Sequence, residues 1–165
     1  MLMVAILVLT VGLIWVVTPT LQQRIIEVGD TAPDFSIMTE QGKTVTRSNF
    51  GGKLLVLNFW ATWCPPCIDE LPSLNRFAAD YAKMGVVVVG VSIDKNEKLY
   101  KNFLRNRQVA FVTARDPDTN ISASYGTFQI PETYLIDTKG KVREKVISNQ
   151  DWMDPAFLAR VRSML

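Results

Sequence analysis

Two cysteines, Cys64 and Cys67, are all that the chain has, and they stand in the run Trp63-Cys64-Pro65-Pro66-Cys67. A Cys-x-x-Cys spacing where a strand gives way to a helix brings two sulfurs within bridging distance. The first sulfur then lies beside free backbone N–H groups and the positive end of the helix dipole, which favour a thiolate. The second lies one turn further in and is better shielded. Dithiol exchange needs this asymmetry. One thiolate attacks a partner disulfide, and the second resolves the mixed disulfide. Two other readings stand beside it. A purely structural disulfide would close a very small loop, where the entropic stabilisation is weakest. Half of a metal site would need ligands from a second copy, because this chain holds two cysteines and no histidine.

The absence of histidine removes Ser-His-Asp and Cys-His catalysis and His-ligated haem. Ile68 after Cys67 also leaves no histidine for covalent c-type haem attachment. Chemistry must run on cysteine, carboxylates, lysine or tyrosine. No metal and no cofactor beyond the Cys64–Cys67 pair is expected.

The elements around the pair follow from patterning. Leu54–Trp60 (LLVLNFW) is mostly apolar and reads as a buried strand leading into the motif. Pro66–Met84 reads as the following helix, with Leu71, Leu74, Ala78 and Tyr81 on one stripe and Gly85 as its stop. Pro72 inside it removes the bond to the Ile68 carbonyl and predicts a kink. Val86–Ile93 is β-branched and predicts a central strand. Asp94, with Glu97 three residues on, predicts a cap and a helix to about Arg107. Phe111–Ala114 reads as a short strand, and Asn120–Tyr125 as a brief helix. Thr133–Ile136 and Lys141–Ile147 read as an antiparallel pair around a turn, and Asp154-Pro155 opens a last helix. Ahead of all these, Asp34–Met38 and Lys43–Thr46 predict a hairpin. The order predicts an α/β sheet with helices on both faces.

At 165 residues, with 48% hydrophobic and 21% charged side chains, the chain suits one globular domain rather than a disordered one. A net charge of +2 argues against a nucleic-acid surface. No charged side chain precedes Arg24. Residues 1–17 would span roughly 25 Å as a helix, near the short end of the transmembrane range. A cleaved signal peptide would want small residues at the cleavage site, and VVTPTLQQ offers no A-x-A pattern. We therefore expect an uncleaved anchor over 1–17, a linker over 18–27 and the folded domain over 28–165. Arg24 lies on the far side of the anchor, so charge alone weakly favours the opposite orientation from an exported domain.

Asn58-Phe-Trp-Ala-Thr-Trp-Cys-Pro-Pro-Cys resembles the active-site segment of thioredoxin-fold proteins. From about Val28 onward the chain is similar to the TlpA/ResA/CcmG-like thiol–disulfide oxidoreductases. Val28-Gly-Asp-Thr-Ala-Pro-Asp-Phe resembles their opening strand, and Pro72 their helix-kinking proline. Ile130-Pro131 before Thr133-Tyr-Leu-Ile-Asp resembles their loop with a cis-proline opposite the disulfide. On sequence alone Pro131 would be an ordinary trans turn proline; the resemblance implies cis, with Ile130 offering its backbone to an extended client. It further implies a thioredoxin-like fold, a membrane-anchored extracytoplasmic (periplasmic) protein and protein disulfide substrates. It also implies an apocytochrome c as one such client and a membrane thiol carrier as the electron donor. A monomer is expected.

Thioredoxins carry a buried aspartate in the strand before the motif, where this chain has Asn58. An amide cannot take a proton from Cys67. Glu70, three residues after Cys67 on a neighbouring part of the same face, is the replacement, and burial should raise its pKa. It also matches the active-site glutamate of the ResA/CcmG-like group. Asp69 is expected to be solvated and Trp60 to be core. The expected catalytic set is therefore Cys64, Cys67 and Glu70. The expected substrate contacts are Trp63, Pro65, Pro66, Ile130 and Pro131, with Trp63 as a flat apolar docking surface. Two prolines between the cysteines offer no donor or cation to the reduced form, which predicts a reducing potential nearer thioredoxin than DsbA. Two further functions compete with a reductase. A thiol peroxidase would want a threonine just ahead of its cysteine, and Thr62 is a weak match. The other is a non-enzymatic binding domain with a structural disulfide.

Overall fold

Leu54–Trp60 is buried at every position and becomes the central strand β3. It runs parallel to β4 (Val86–Ser92) and antiparallel to β6 (Glu132–Asp137). Outside these lie β5 (Val112–Arg115), parallel to β4, and β7 (Val142–Ile147), antiparallel to β6. The sheet order is β5-β4-β3-β6-β7. A separate hairpin pairs β1 (Ser36–Met38) with β2 (Thr44–Thr46). The helices are α1 (Pro65–Tyr81), α2 (Glu97–Arg107), α3 (Asn120–Ser124) and α4 (Pro155–Ser163). The computed structural model describes residues 24–165 together with Thr10 and Gly12. The expected anchor over 1–17 otherwise lies outside the described residues, as does most of the expected linker. Among the described residues no helix is long and apolar enough to cross a membrane.

Strand parity sorts the core. Leu54 and Val56 face α1 and α4, packing with Leu71, Leu74, Phe77, Phe157 and Val161. Leu55, Leu57 and Phe59 face the other way, against Phe35, Ile37, Tyr125 and Tyr134. Tyr100 of α2 packs beside Trp60, so α2 shares the α1 face. The sequence predicts helices on both faces, and the structure is lopsided: on the second face only the five-residue α3 joins the hairpin. The steps β3-α1-β4 and β4-α2-β5 move across the sheet in one direction, and right-handed crossovers then place both helices on one side.

Local chemistry explains most boundaries. Asp154 accepts from Phe157 N at 2.8 Å and caps α4, with Pro155 at its first position. Helix α1 passes through Pro72 and ends in a 3-10 turn, Ala82–Met84, closed by Gly85 at φ 95°. Gly90 interrupts the β-branched strand β4 because a Cβ there would lie 2.7 Å from Phe111 Cε2 and 2.9 Å from Trp60 Nε1. One expectation fails. Asp94 does not cap α2: Asn96 does, accepting from Leu99 N at 3.1 Å. Asp94 is turned inward instead.

Both edge strands are bridged by other parts of the chain. Thr39, at the end of the hairpin's first strand, pairs with Ala114 of β5. The segment before the hairpin lies along the start of β7, with Thr31 paired to Lys141 and Gly29 N donating to Val142 O at 2.8 Å. Further back, Ile26 N donates to Tyr125 O at 3.1 Å, and a Cβ on Gly126 would strike Arg24 O and Ile25 Cα, both at 2.7 Å.

Candidate functional site

Strand β3 delivers the motif to the end of the sheet. Residues Ala61–Trp63 turn the chain, and Cys64 becomes the N-cap of α1, with Pro65 and Pro66 in the first helical positions where a missing N–H costs nothing. Cys64 and Cys67 are joined as a disulfide, with S–S 2.06 Å and Cα–Cα 5.3 Å. Cys67 N donates to Cys64 Sγ at 3.3 Å, so the first sulfur occupies the capping position that the dipole argument requires. Cys64 is 4% exposed and Cys67 1%, so the order of shielding is as expected while both are well covered. Trp60, Ala61 and Tyr100 close over them from within. Trp63 stands outside at 63% exposure. The Ile130–Pro131 bond is cis, and Ile130 O lies 3.7 Å from Cys64 Sγ.

Glu70 is buried at 3% exposure, one turn beyond Cys67. Its Oε1 accepts from Asn58 Nδ2 at 3.1 Å. Its Oε2 accepts from Gln150 N at 3.2 Å and Trp152 Nε1 at 3.1 Å. Burial is the dominant effect and these three donors only partly offset it, so the carboxyl is pushed up to about 7. Asn58 also donates to Thr133 Oγ1 at 2.8 Å, which ties Glu70 to the strand that follows Pro131. Asp69 is exposed, as expected.

A raised pKa makes Glu70 a source of pH-dependent stability. The folded state holds this proton more tightly than the unfolded chain. Its contribution is complete below about pH 4.5 and is lost as pH rises to about 7. That difference corresponds to about 3 kcal/mol. Glu70→Gln should abolish this loss while keeping the fold, because Asn58 can turn its amide to accept from the new NH2 and the Thr133 hydroxyl can donate in return. Urea unfolding of both proteins from pH 4.5 to 7.5 checks this. Stability curves that run parallel throughout would show that Glu70 does not titrate in that window.

The structure adds residues that the sequence does not single out. Trp152, beyond β7, reaches Glu70 from the far end of the chain. Phe128, 80% exposed, lines a cavity of about 480 Å3 with Trp63, Ile93 and Ile130. Glu132, next to Pro131, is 3% exposed and pairs with Lys145 at 3.1 Å. Its one visible signal is a charged residue opening a strand whose middle, Tyr134–Ile136, is apolar. Thr62 Oγ1, the peroxidase-like feature, donates to Asp94 Oδ1 at 2.7 Å.

Residues 28–145 match the AhpC/TSA family. The chain belongs to that family. Within it, this AhpC/TSA-family chain is 36% identical over 124 residues to the thiol-disulfide oxidoreductase ResA of Bacillus cereus, which covers 75% of the chain and 72% of the relative. It is 37% identical over 121 residues to the thioredoxin-like protein YneN of Bacillus subtilis, covering 72% of the chain and 71% of the relative. A Chlorobium tepidum structure assigned as the thiol:disulfide interchange protein DsbE superposes with TM-score 0.77 at 31% identity, covering 84% of this chain and 98% of that one. This family member is a thiol–disulfide oxidoreductase with the thioredoxin-like fold.

Proposed function

We propose that the chain is an extracytoplasmic disulfide reductase, with residues 1–17 anchoring a domain over 28–165 to the cytoplasmic membrane on its periplasmic side. Cys64 attacks the client disulfide and Cys67 resolves the mixed disulfide. Glu70 takes or returns the Cys67 proton. Trp63, Pro65, Pro66, Ile130 and Pro131 contact the client. Clients are protein disulfides, the Cys-x-x-Cys of an apocytochrome c among them, and electrons come from a membrane thiol donor. The chain works as a monomer, and the Cys64–Cys67 pair is its only redox group.

One observation carries the reading. The first sulfur sits at a helix N-cap facing a loop carbonyl, and the second is sealed beneath it, one turn before a buried carboxyl whose pKa is near 7. That carboxyl can hold or release a proton at the pH of exchange. The uncharged run ahead of Arg24 supports the anchor.

The test is dithiol-driven reduction of insulin, with hydrogen peroxide and an oxidised Cys-x-x-Cys-His peptide as parallel substrates. Insulin and the peptide should be turned over and peroxide should not. Glu70→Gln should slow insulin reduction roughly tenfold near pH 7 and alter its pH profile, since thiols are already good acids and need only modest help. Peroxide turnover above that of insulin would make the protein a peroxidase. No turnover of any substrate would make the disulfide structural.

A further inference from the structure

We propose that Asp94 is a positioning residue for disulfide exchange, whose carboxylate pins the Ala61–Trp63 loop and so fixes the Cys64 sulfur at the start of α1. This rests on the reading of Cys64 as the attacking sulfur.

Asp94 is 3% exposed. Its Oδ2 accepts from Thr62 N at 2.9 Å and from Ser92 Oγ at 2.6 Å. Its Oδ1 accepts from Thr62 Oγ1 at 2.7 Å. Asp94 N donates back to Ser92 Oγ at 3.0 Å. The nearby Arg115 guanidinium is spent elsewhere, on the main-chain oxygens of Asp94 and Lys95 at 3.4 and 3.2 Å and on Glu97 at 3.4 Å. A carboxylate buried this far and held by neutral donors is expensive to desolvate, and an apolar residue would fill the space at less cost.

The loop shows what the carboxylate does there. Thr62 lies past the end of β3 and before the first turn of α1, so neither ladder offers its N–H an acceptor. Asp94 supplies one. Cys64 N donates to Ala61 O at 3.3 Å, and Ile93 N donates to Trp60 O at 3.0 Å. The exits of β3 and β4 and the loop between Trp60 and Cys64 therefore form one braced unit, with Asp94 at its centre. Trp63 and Cys64 follow directly. If the brace slackens, the Cys64 sulfur drifts from Cys67 N and from the helix end that favours its thiolate.

The experiment measures the alkylation rate of Cys64 by iodoacetamide in the reduced chain from pH 5 to 9, and the equilibrium with glutathione. Neither needs a client, so failed insulin turnover would sink the proposed function without touching this result. Asp94→Ala should raise the Cys64 pKa by about one unit and slow its alkylation at neutral pH about tenfold. Asp94→Asn keeps an acceptor for Thr62 N and should recover the rate to within about twofold. Thr62→Val removes one donor to the brace and should slow alkylation about threefold; if Asp94→Ala does not fold, this variant decides. Wild-type rates and glutathione equilibrium in Asp94→Ala, or in Thr62→Val where that variant decides, would make the network purely structural. An Asn variant as impaired as Ala would replace the brace with a requirement for charge.

Discussion

Cys64→Ser should lose insulin reduction by at least about three orders of magnitude, because a serine hydroxyl at this position has no base to activate it and cannot form the mixed disulfide. Cys67→Ser should behave differently. Its Cys64 thiolate still attacks, but nothing resolves the product, so a client peptide stays covalently attached. The two variants should leave the fold alone, since the disulfide closes a loop too small to restrict the unfolded chain much. Mass spectrometry after mixing each variant with an oxidised peptide separates the roles. A stable adduct on Cys64→Ser, with none on Cys67→Ser, would exchange the two assignments.

The second large effect concerns stability. Lys145 has a side chain only 6% exposed, with Nζ 3.1 Å from Glu132 Oε1, 3.1 Å from Glu27 Oε1 and 3.0 Å from Ile26 O. Burial pulls its pKa down, and the bonds from Glu132 and Glu27 more than restore it, so the ammonium remains charged. Glu132 depends on this cation, because its other oxygen, Oε2, is buried without a hydrogen-bond partner. Lys145→Met should cost about 3–5 kcal/mol, the usual penalty for stranding a buried charge. Pairing it with Glu132→Leu should recover most of that, since removing both partners strands neither. Glu27→Ala should cost less than about 1 kcal/mol, its side chain being 64% exposed. Urea unfolding of the three variants and the parent tests the set. A Lys145→Met protein within 1 kcal/mol of the parent would show that Glu132 does not depend on this cation.

The redox pair was legible because its chemistry is written in local spacing. Cys64, two prolines and Cys67 at a strand-to-helix junction predict the N-cap geometry before any tertiary contact is known. Glu70 was legible for the same reason, as a residue one turn beyond Cys67. Its donors were less so: Asn58 was tied to it only through the place where thioredoxins carry an aspartate, and Trp152 lies 82 residues away with nothing in its segment pointing to Glu70. The misplaced cap of α2 has a similar origin. Asp94 with Glu97 three residues on satisfies a capping box, which Asn96 with Leu99 does not, yet the loop near Cys64 claims the aspartate and Asn96 caps the helix. The pair of Glu132 and Lys145 looks in sequence like two ordinary strand charges, because burial of an edge strand by the preceding segment is a long-range event. The one-sided placement of α1 and α2 follows from crossover handedness, which the element order contains once β6 is placed on the far side of β3.

The bridged edges of the sheet bear on how a client is held. Recognition by strand addition draws its affinity from a long run of main-chain bonds along an open edge. Here the hairpin bridges β5 and the segment at Gly29–Thr31 bridges β7, so that mode is blocked at both bridges. On the proposed function, a client is gripped instead at a short stretch around its cysteine, between Trp63 and the Ile130 backbone. A grip that short accepts many surrounding sequences and discriminates through only a few side chains. It also lets go readily, so once Cys67 has released the mixed disulfide little remains to hold the product, and the domain is free for the next encounter.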